Sequence, residues 1–272
     1  MTVAAAERHL TAFLDGEDSP DVLNPIHSTA VATAYGFRGP LVGGVTSYGW
    51  MAPAILEALG QRWLEDGWVE VAFRRPIFPG DELTARVDAV AESVWEVAMI
   101  NQDGERCIAG SAGLGRATWF EDITVPQRRE PEPRPESLPY LTMENAPVGQ
   151  DLRPLAFPFS LEDARTYARE KQRDESALWT APGGRIHPGW LAGRMTPLLH
   201  HSYDYTPSIH ARSRIQHLAP AITGQTIVYA GHFVETFERN GHHYGVVDGL
   251  MLSEDGRELA RLRHTTIFRV AK

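Results

Sequence analysis

The sequence lacks several features that would identify a secreted or membrane protein. It has a single cysteine, Cys107, among 272 residues, so no disulfide can form within the chain, which is typical of a reducing compartment. No apolar run is long enough to cross a membrane, and residues 1–8 lack the apolar core of a signal peptide. We therefore expect a cytoplasmic protein with no membrane partner, in which Cys107 is a buried thiol of a strand.

Basic residues are in the minority. The 26 lysines and arginines face 35 aspartates and glutamates, a net charge of -9, so we expect no nucleic-acid partner. The chain contains no glycine-rich phosphate loop, dinucleotide fingerprint or Gly-x-Ser-x-Gly elbow, which argues against a nucleotide-dependent enzyme and a serine hydrolase. The histidines of the second half follow no metal-binding spacing, so no metal site is expected.

A histidine near the N-terminus stands in a pattern that suggests chemistry. Asn24 followed by Pro25 is typical of a helix start, which places His27 in the first turn, at the positive end of the helix dipole. That field disfavours the imidazolium form, so we expect His27 to be a neutral base or hydrogen-bond partner. An Asn-Pro pair is also an ordinary helix start with no catalytic meaning.

A glycine-rich turn follows this histidine. Gly39-Pro40 and Gly43-Gly44 let the backbone approach a ligand closely, and a helix that begins near Gly44 directs unpaired amides into the same space. A neutral histidine facing a helix start is a suitable place to hold a carbonyl while its charge becomes negative.

The periodicity of the first half predicts one helix and a series of strands. Apolar residues recur at helical spacing from Val45 to Leu64, which indicates a buried central helix, and Pro53 should kink or break it. Strands are predicted over residues 9–14, 68–73, 84–90, 94–101 and 107–118, with a turn at Asp103-Gly104. Residues 124–154 contain seven prolines among charged residues and predict an extended linker.

The second half repeats the first weakly. Residues 220–227 align with residues 76–83 at an offset of 144, and Asp255-Gly256 corresponds to Asp103-Gly104 after an insertion of eight residues. Ser160 caps a predicted helix, and His187 lies in the stretch 186–193, where the first half has its glycine turn. The repeat divides the chain into a unit over 1–122, a linker over 123–154 and a second unit over 155–272.

Three features of the first half occur together: the motif Asn24-Pro25-Ile26-His27, Gly36-Phe37 nine residues after the histidine, and the turn from Pro40 to Gly44. Together they resemble the MaoC-like acyl-thioester dehydratases, also called (R)-specific enoyl-CoA hydratases. The resemblance implies the hotdog fold, and two copies imply an α+β double hotdog with two curved antiparallel sheets, each wrapped round a central helix. The acyl chain of such proteins lies in a tunnel between the units, so we expect one cleft per chain, completed by the second half.

The resemblance also implies an activity, the hydration of 2-enoyl thioesters or the dehydration of 3-hydroxyacyl thioesters. In the family signature Gly-Asp-x-Asn-Pro-x-His, the aspartate and the histidine activate a water. Here the position of the aspartate is occupied by Val22, and Asp21 is the nearest replacement. His27 is thus the expected acid or base, Asn24 orients the loop, and the amide of Gly44 holds the thioester oxygen.

The expected partner is coenzyme A or an acyl-carrier arm, bound as part of the substrate, with no separate cofactor. Arg74 and Arg75 are candidates for contacts with its phosphates, and Arg212 and Arg214 lie on the related strand, although all four are equally explained as solvated strand residues. A homodimer of double hotdogs is a further expectation.

Two other functions stay open at this point. Val22 favours a catalytically silent module that binds acyl thioesters. A hotdog thioesterase would need a carboxylate directed at the thioester carbon, and no acidic residue lies at the start of the central helix in the sequence.

Overall fold

The computed structural model describes residues 6–271, so the first five residues of the segment examined for a signal peptide lie outside the described part. The helices are α1 (Thr29–Ala34), α2 (Gly44–Gly49), α3 (Ala52–Leu59), α4 (Trp63–Asp66), α5 (Leu161–Tyr167), α6 (Ala177–Thr180), α7 (Pro188–Gly193) and α8 (Met195–His200). The strands are β1 (Ala6–Thr11), β2 (Gly67–Phe73), β3 (Glu82–Ala91), β4 (Val94–Asn101), β5 (Arg106–Leu114), β6 (Gln150–Asp151), β7 (Leu155–Phe159), β8 (Ile209–His217), β9 (Gln225–Arg239), β10 (His242–Ser253) and β11 (Glu258–Arg269). None of these helices is long and apolar enough to cross a membrane.

All of these strands belong to one antiparallel sheet. Its order is β1-β3-β4-β5-β2-β8-β11-β10-β9-β6, and β7 also pairs with β9. The strands of the first half and those of the second half meet where β2 pairs with β8. The resemblance predicted two curved sheets, one in each half. The structure joins the two edge to edge into a single sheet, because β2 of the first half and β8 of the second half are hydrogen-bonded to each other.

The predicted strands are found, with shifts at their ends. β4 has the predicted bounds, and β2 and β3 extend the predicted ranges by one to three residues. The first strand covers Ala6–Thr11 instead of 9–14, because Thr11 already faces the first residue of β3, and Ala12 bonds to the turn at Gly80. β5 ends at Leu114, because Gly115 has a φ of 78° that ends the strand. Cys107 is fully buried in β5, as predicted.

The predicted central helix is divided into three pieces. α2 ends at Gly49, and α3 begins at Ala52 with Pro53 in its first turn. Pro53 has no N–H to give to the carbonyl of Gly49, and its ring would clash with that carbonyl, so the break lies before the proline. Gly60, with a φ of 75°, ends α3.

The repeat found in the sequence is confirmed by the structure. α2 and α7 begin and end 144 residues apart, and β2 and β8 end 144 residues apart. The eight-residue insertion lengthens the hairpin of β9 and β10 relative to that of β3 and β4. Glu70 and Arg214 are also 144 residues apart, and they face each other directly across the β2–β8 pair, so the pseudo-twofold axis passes between them.

The proline-rich segment lies along the second half of the sheet. The amide of Thr124 donates to Asp248 Oδ2 at 2.7 Å, and the carbonyl of Glu132 is 2.7 Å from His201 Nε2. Val125 packs on Leu250 and Leu252, so the middle of β10 is buried. The division of the chain into two units with a linker stays a prediction.

Candidate active site

A pocket of about 450 Å³ lies at the junction of the two halves. The first half contributes the turn that carries His27, the start of α2 and the end of β2, and the second half contributes residues of α8 and β8. Much of the lining is apolar: Ile26, Phe37, Leu41, Val42, Val45, Phe73, Ile77, Pro197, Ile209 and Ile267. Such a pocket suits an apolar ligand with a polar head.

The ring of His27 is fixed by backbone and amide groups. Its Nδ1 lies 2.6 Å from the carbonyl of Leu41, and since a carbonyl only accepts, Nδ1 carries the proton in the neutral ring. Nε2 lies 3.3 Å from Nδ2 of Asn24, which is a donor. In the neutral ring, Nε2 of His27 is therefore the acceptor.

Asn24 connects this histidine to the second half. Its Nδ2 donates to the carbonyl of Ser208 at 2.8 Å, and its Oδ1 accepts from the amide of Ser208 at 3.1 Å. These two bonds fix which end of the Asn24 amide faces His27. The role of Asn24 in orienting the loop stays a prediction, and these bonds to Ser208 are the contacts through which it would act.

The dipole argument for His27 is wrong in its cause. Pro25–His27 is a single 3₁₀ turn, and the Asn24 side chain does not cap it because it is bonded to Ser208. A separate helix, α1, begins next and is capped by the Ser28 hydroxyl. Three residues carry too few aligned peptides for a strong dipole, so the bonds to Leu41 and Asn24 hold the ring instead.

Gly44 begins α2 at the wall of the pocket. A Cβ at this position would lie 3.2 Å from Cβ of His210 and 3.3 Å from the ring of Phe73, so no larger residue fits easily. The first amides of a helix have no partner within it, so the amide of Gly44 is available to a ligand in the pocket.

Known structures resemble this one over nearly the whole chain, whereas no protein-family model and no curated protein matches the sequence. Rv0216 from Mycobacterium tuberculosis, a conserved hypothetical protein with a double hotdog fold, has a TM-score of 0.68 and 13% identity, covering 98% of this chain and 96% of its own. A candidate MaoC domain dehydratase from Chloroflexus aurantiacus has a TM-score of 0.64 and 12% identity, covering 100% and 96%. A candidate oleoyl thioesterase from Lactobacillus plantarum has a TM-score of 0.53 and 10% identity, covering 99% and 98%.

The chain has the double hotdog fold. At these identities the similarity shows the fold alone, and the neighbours include both dehydratases and thioesterases. In this double hotdog the pocket beside His27 takes residues from both halves, as the expected tunnel does.

Asp21 is not brought to His27. It is exposed, its amide bonds to the Ser19 hydroxyl, and it does not line the pocket. Among residues 6–271, no aspartate or glutamate lines this pocket. The site therefore differs from the family signature in space as well as in sequence.

A carboxylate that the sequence analysis missed lies at the start of α2. Asp15 accepts a hydrogen bond from the Thr46 hydroxyl and would lie 3.6 Å from a Cβ at Gly43. It does not line the pocket beside His27. Carboxylates favour helix starts, but α2 begins far along the chain from Asp15, so no spacing in the sequence indicates the contact.

Two histidines pack against each other at the pocket wall, and His264 is the buried one of the pair. His210 lines the pocket, and its ring is 4.3 Å from that of His264. Nε2 of His210 is 2.8 Å from the Ser213 hydroxyl. Burial lowers the pKa of His264 to about 4 and holds the pKa of His210 well below its usual range, so both are neutral.

In the second half of the double hotdog, side chains fill the space at the start of α7, which is the counterpart of the start of α2. His187 caps α7, accepting from the amide of Gly189 at 3.2 Å, and the rings of Tyr167 and Trp179 pack against it. Burial lowers the pKa of His187 to about 3. His187 is a structural cap outside the pocket of His27.

The four arginines considered in the sequence fall into two kinds. Arg75 pairs with Glu105 at 3.2 Å, and Arg214 pairs with Glu70 at 2.9 Å. Arg74 and Arg212 form no ion pair with any described residue, and Arg74 and Arg75 line the pocket. Within residues 6–271, no cluster of three His, Cys, Asp or Glu side chains is arranged to hold a metal.

Proposed function

We propose that this protein is an acyl-thioester hydro-lyase, which adds water to 2-enoyl thioesters or removes it from 3-hydroxyacyl thioesters. The observation that supports this most is the position of His27, whose Nε2 is held as an acceptor beside an apolar pocket that also contains the start of α2. The apolar lining suits the acyl chain, and Gly44 offers an amide for the thioester oxygen.

One histidine is enough to balance the reaction. A water that replaces the Asn24 amide at the single lone pair of Nε2 gives a proton to His27 while its oxygen bonds to C3 of the enoyl group, and the electron pair moves to the thioester oxygen. The resulting enolate takes that proton at C2, and the ring returns to its neutral form. The protonated ring has an Nε2–H facing the amide donor of Asn24, so His27 returns the proton readily.

The substrate is proposed to be a thioester of coenzyme A or of a carrier arm. Arg74 and Arg75 lie where the pocket opens toward the end of β2, and we assign them to its phosphates. Arg75 must share its charge with Glu105, so Arg74 is the stronger of the two candidates.

The test is hydration of a panel of short and branched 2-enoyl-CoA thioesters, followed by loss of enoyl absorbance. We expect turnover by the wild type, none by His27→Ala, and unchanged turnover by His9→Ala, since His9 is an exposed histidine of β1. Asp21→Asn should keep activity if His27 acts alone. No turnover on any thioester by the wild type would contradict the proposal.

A catalytically silent binding module is a second candidate. It is favoured by the lack of any carboxylate among the pocket-lining residues within 6–271, since Val22 has removed the family aspartate and Asp21 is turned away. Saturable binding of acyl-CoA with no turnover, lost on narrowing the pocket with Gly44→Val, would favour this function.

A thioesterase is a third candidate, favoured by the carboxylate of Asp15 at the start of α2. Release of free thiol from saturated acyl-CoA, abolished by Asp15→Asn and kept by His27→Ala, would identify it. The position of Asp15 outside the pocket makes this the weaker alternative.

A further inference from the structure

A second concave surface adjoins the reaction pocket. This groove of about 520 Å³ is lined by residues of β2, β8, β9, β10 and β11, and it shares Phe73, Arg74 and Tyr244 with the first pocket. It lies on the face of the sheet opposite the helices, because neighbouring Val71 and Ile215 point into the core. A ligand could therefore pass from one space to the other at Arg74.

The groove is basic in a chain that is acidic overall. Arg74, Arg212 and Arg239 line it and form no ion pair with any residue in 6–271. Arg214 and Arg263 also line it, but Glu70 and Asp248 neutralise them.

One acidic residue, Glu235, lines the groove as well, so the unpaired arginines outnumber it three to one. Three unpaired guanidinium groups in one concavity repel each other, and an anion with several phosphate oxygens would relieve that repulsion.

The groove also has an aromatic wall. The rings of Phe237 and Tyr244 stack with centroids 4.7 Å apart and an interplanar angle of 5°. A flat heteroaromatic base can stack on such a wall, and the arginines can donate charged hydrogen bonds to phosphates. The concave shape fits a small nucleotide better than the convex surface of a carrier protein.

We propose that this groove binds the phosphorylated adenosine end of coenzyme A, with Arg212 and Arg239 holding its phosphates. The inference rests on the proposed function for its substrate class, and it selects coenzyme A over an acyl-carrier protein. Arg74 lies at the shared opening, where it is assigned to the phosphates nearest the pantetheine arm, and that arm passes on toward His27. The sequence analysis could not include Arg239, because only the lengthened β9–β10 hairpin brings it to this surface.

Binding is tested first without any reaction. Titration calorimetry with adenosine 3′,5′-diphosphate should show saturable binding that weakens as salt is raised. Arg212→Ala combined with Arg239→Ala should raise Kd about tenfold or more, since charged hydrogen bonds to phosphate are lost. Arg257→Ala, at an exposed arginine of the β10–β11 turn, is the matched control. Binding that is absent, or unchanged in the double variant, overturns the proposal.

Kinetics separate this inference from the proposed function. With enoyl-CoA, the double variant should raise KM and leave kcat nearly unchanged; with enoyl-pantetheine, which lacks the nucleotide, it should match the wild type. Equal effects on both substrates, or preference for an acyl-carrier thioester, would overturn the groove assignment. If no thioester turns over but the diphosphate still binds through Arg212 and Arg239, the hydro-lyase is wrong and the groove assignment stands.

Discussion

The side chain of Asn24 makes three hydrogen bonds, two with the backbone of Ser208 and one with His27. We expect Asn24→Ala to reduce the free energy of unfolding by about 1–3 kcal/mol, because the buried polar groups of Ser208 lose their partner. Urea denaturation measures this loss. Gln61→Ala, at an exposed position whose side chain bonds to no described residue, should be close to neutral by comparison.

Asn24→Asp tests whether the contact between Asn24 and Nε2 of His27 matters for turnover. A carboxylate only accepts hydrogen bonds, so it cannot donate to Nε2 as the amide does. We expect kcat/KM for the 2-enoyl-CoA panel to fall. An unchanged kcat/KM would contradict a role for Asn24 at the proposed base.

His27 could be identified from the sequence because Asn24-Pro25-Ile26-His27 is a contiguous motif. Its actual partners could not. The carbonyl of Leu41 bonds to His27 from 14 residues away, and the backbone of Ser208 bonds to Asn24 from 184 residues away. Every residue has such backbone groups, so the sequence does not indicate which of them form these bonds. The helix-dipole explanation for His27 failed for the same reason, because it assumed that the Asn24 side chain caps the helix that follows it, whereas it bonds to the backbone of Ser208.

The helices α2 and α7 pack against each other through glycines. A Cβ at Gly189 would lie 3.0 Å from the carbonyl oxygen of Val45 and 3.0 Å from Cα of Gly49, whereas a Cβ at Gly193 would meet only the Val45 side chain at 3.4 Å. We expect Gly189→Ala to destabilise by about 1–3 kcal/mol through overpacking. Gly193→Ala should be neutral or stabilising by up to about 1 kcal/mol, since alanine is the better helix former. Equal denaturation midpoints for the two variants would contradict this packing.

The strands were predictable because alternation is a local signal, and β4 was found with its bounds. The start of α2 was predictable from Gly43-Gly44. The sequence predicted a kink or break at Pro53, whereas α2 already ends at Gly49, because Pro53 disturbs the carbonyl four residues before it. The contact of Asp15 with Thr46 depends on the fold and was missed.

The two halves of the molecule meet at an ion pair on the pseudo-twofold axis. Glu70 and Arg214 are cross-strand neighbours at 2.9 Å. Glu70→Arg would place two arginines opposite each other and should cost about 1 kcal/mol of unfolding free energy. The exchanged double variant, Glu70→Arg with Arg214→Glu, should recover most of that loss. Failure to recover in thermal denaturation would mean that the pair is not coupled.

The offset of 144 predicted this pseudosymmetry, because both copies kept the same spacing from helix to strand. The filling of one of the two symmetry-related sites was not predictable. It depends on Tyr167 and Trp179, which pack on His187 and lie outside the stretches that align between the two halves.

Acid sensitivity should follow from histidines buried across the molecule. Burial lowers the pKa of His187 to about 3 and those of His217 and His264 to about 4, against about 6.5 in the unfolded chain. Between these values the unfolded state binds more protons, so the free energy of unfolding falls as the pH drops below about 6.5.

Each such histidine should remove on the order of 2 kcal/mol between pH 6.5 and pH 5, measured by urea denaturation at each pH. His187→Asn should reduce that slope, because asparagine can still cap α7 but does not titrate. His9→Asn, at an exposed position, should leave the slope unchanged. Stability that is equal at pH 8 and pH 5 would mean that these rings take up protons in the folded state, and the filled second site would then have to be open to water.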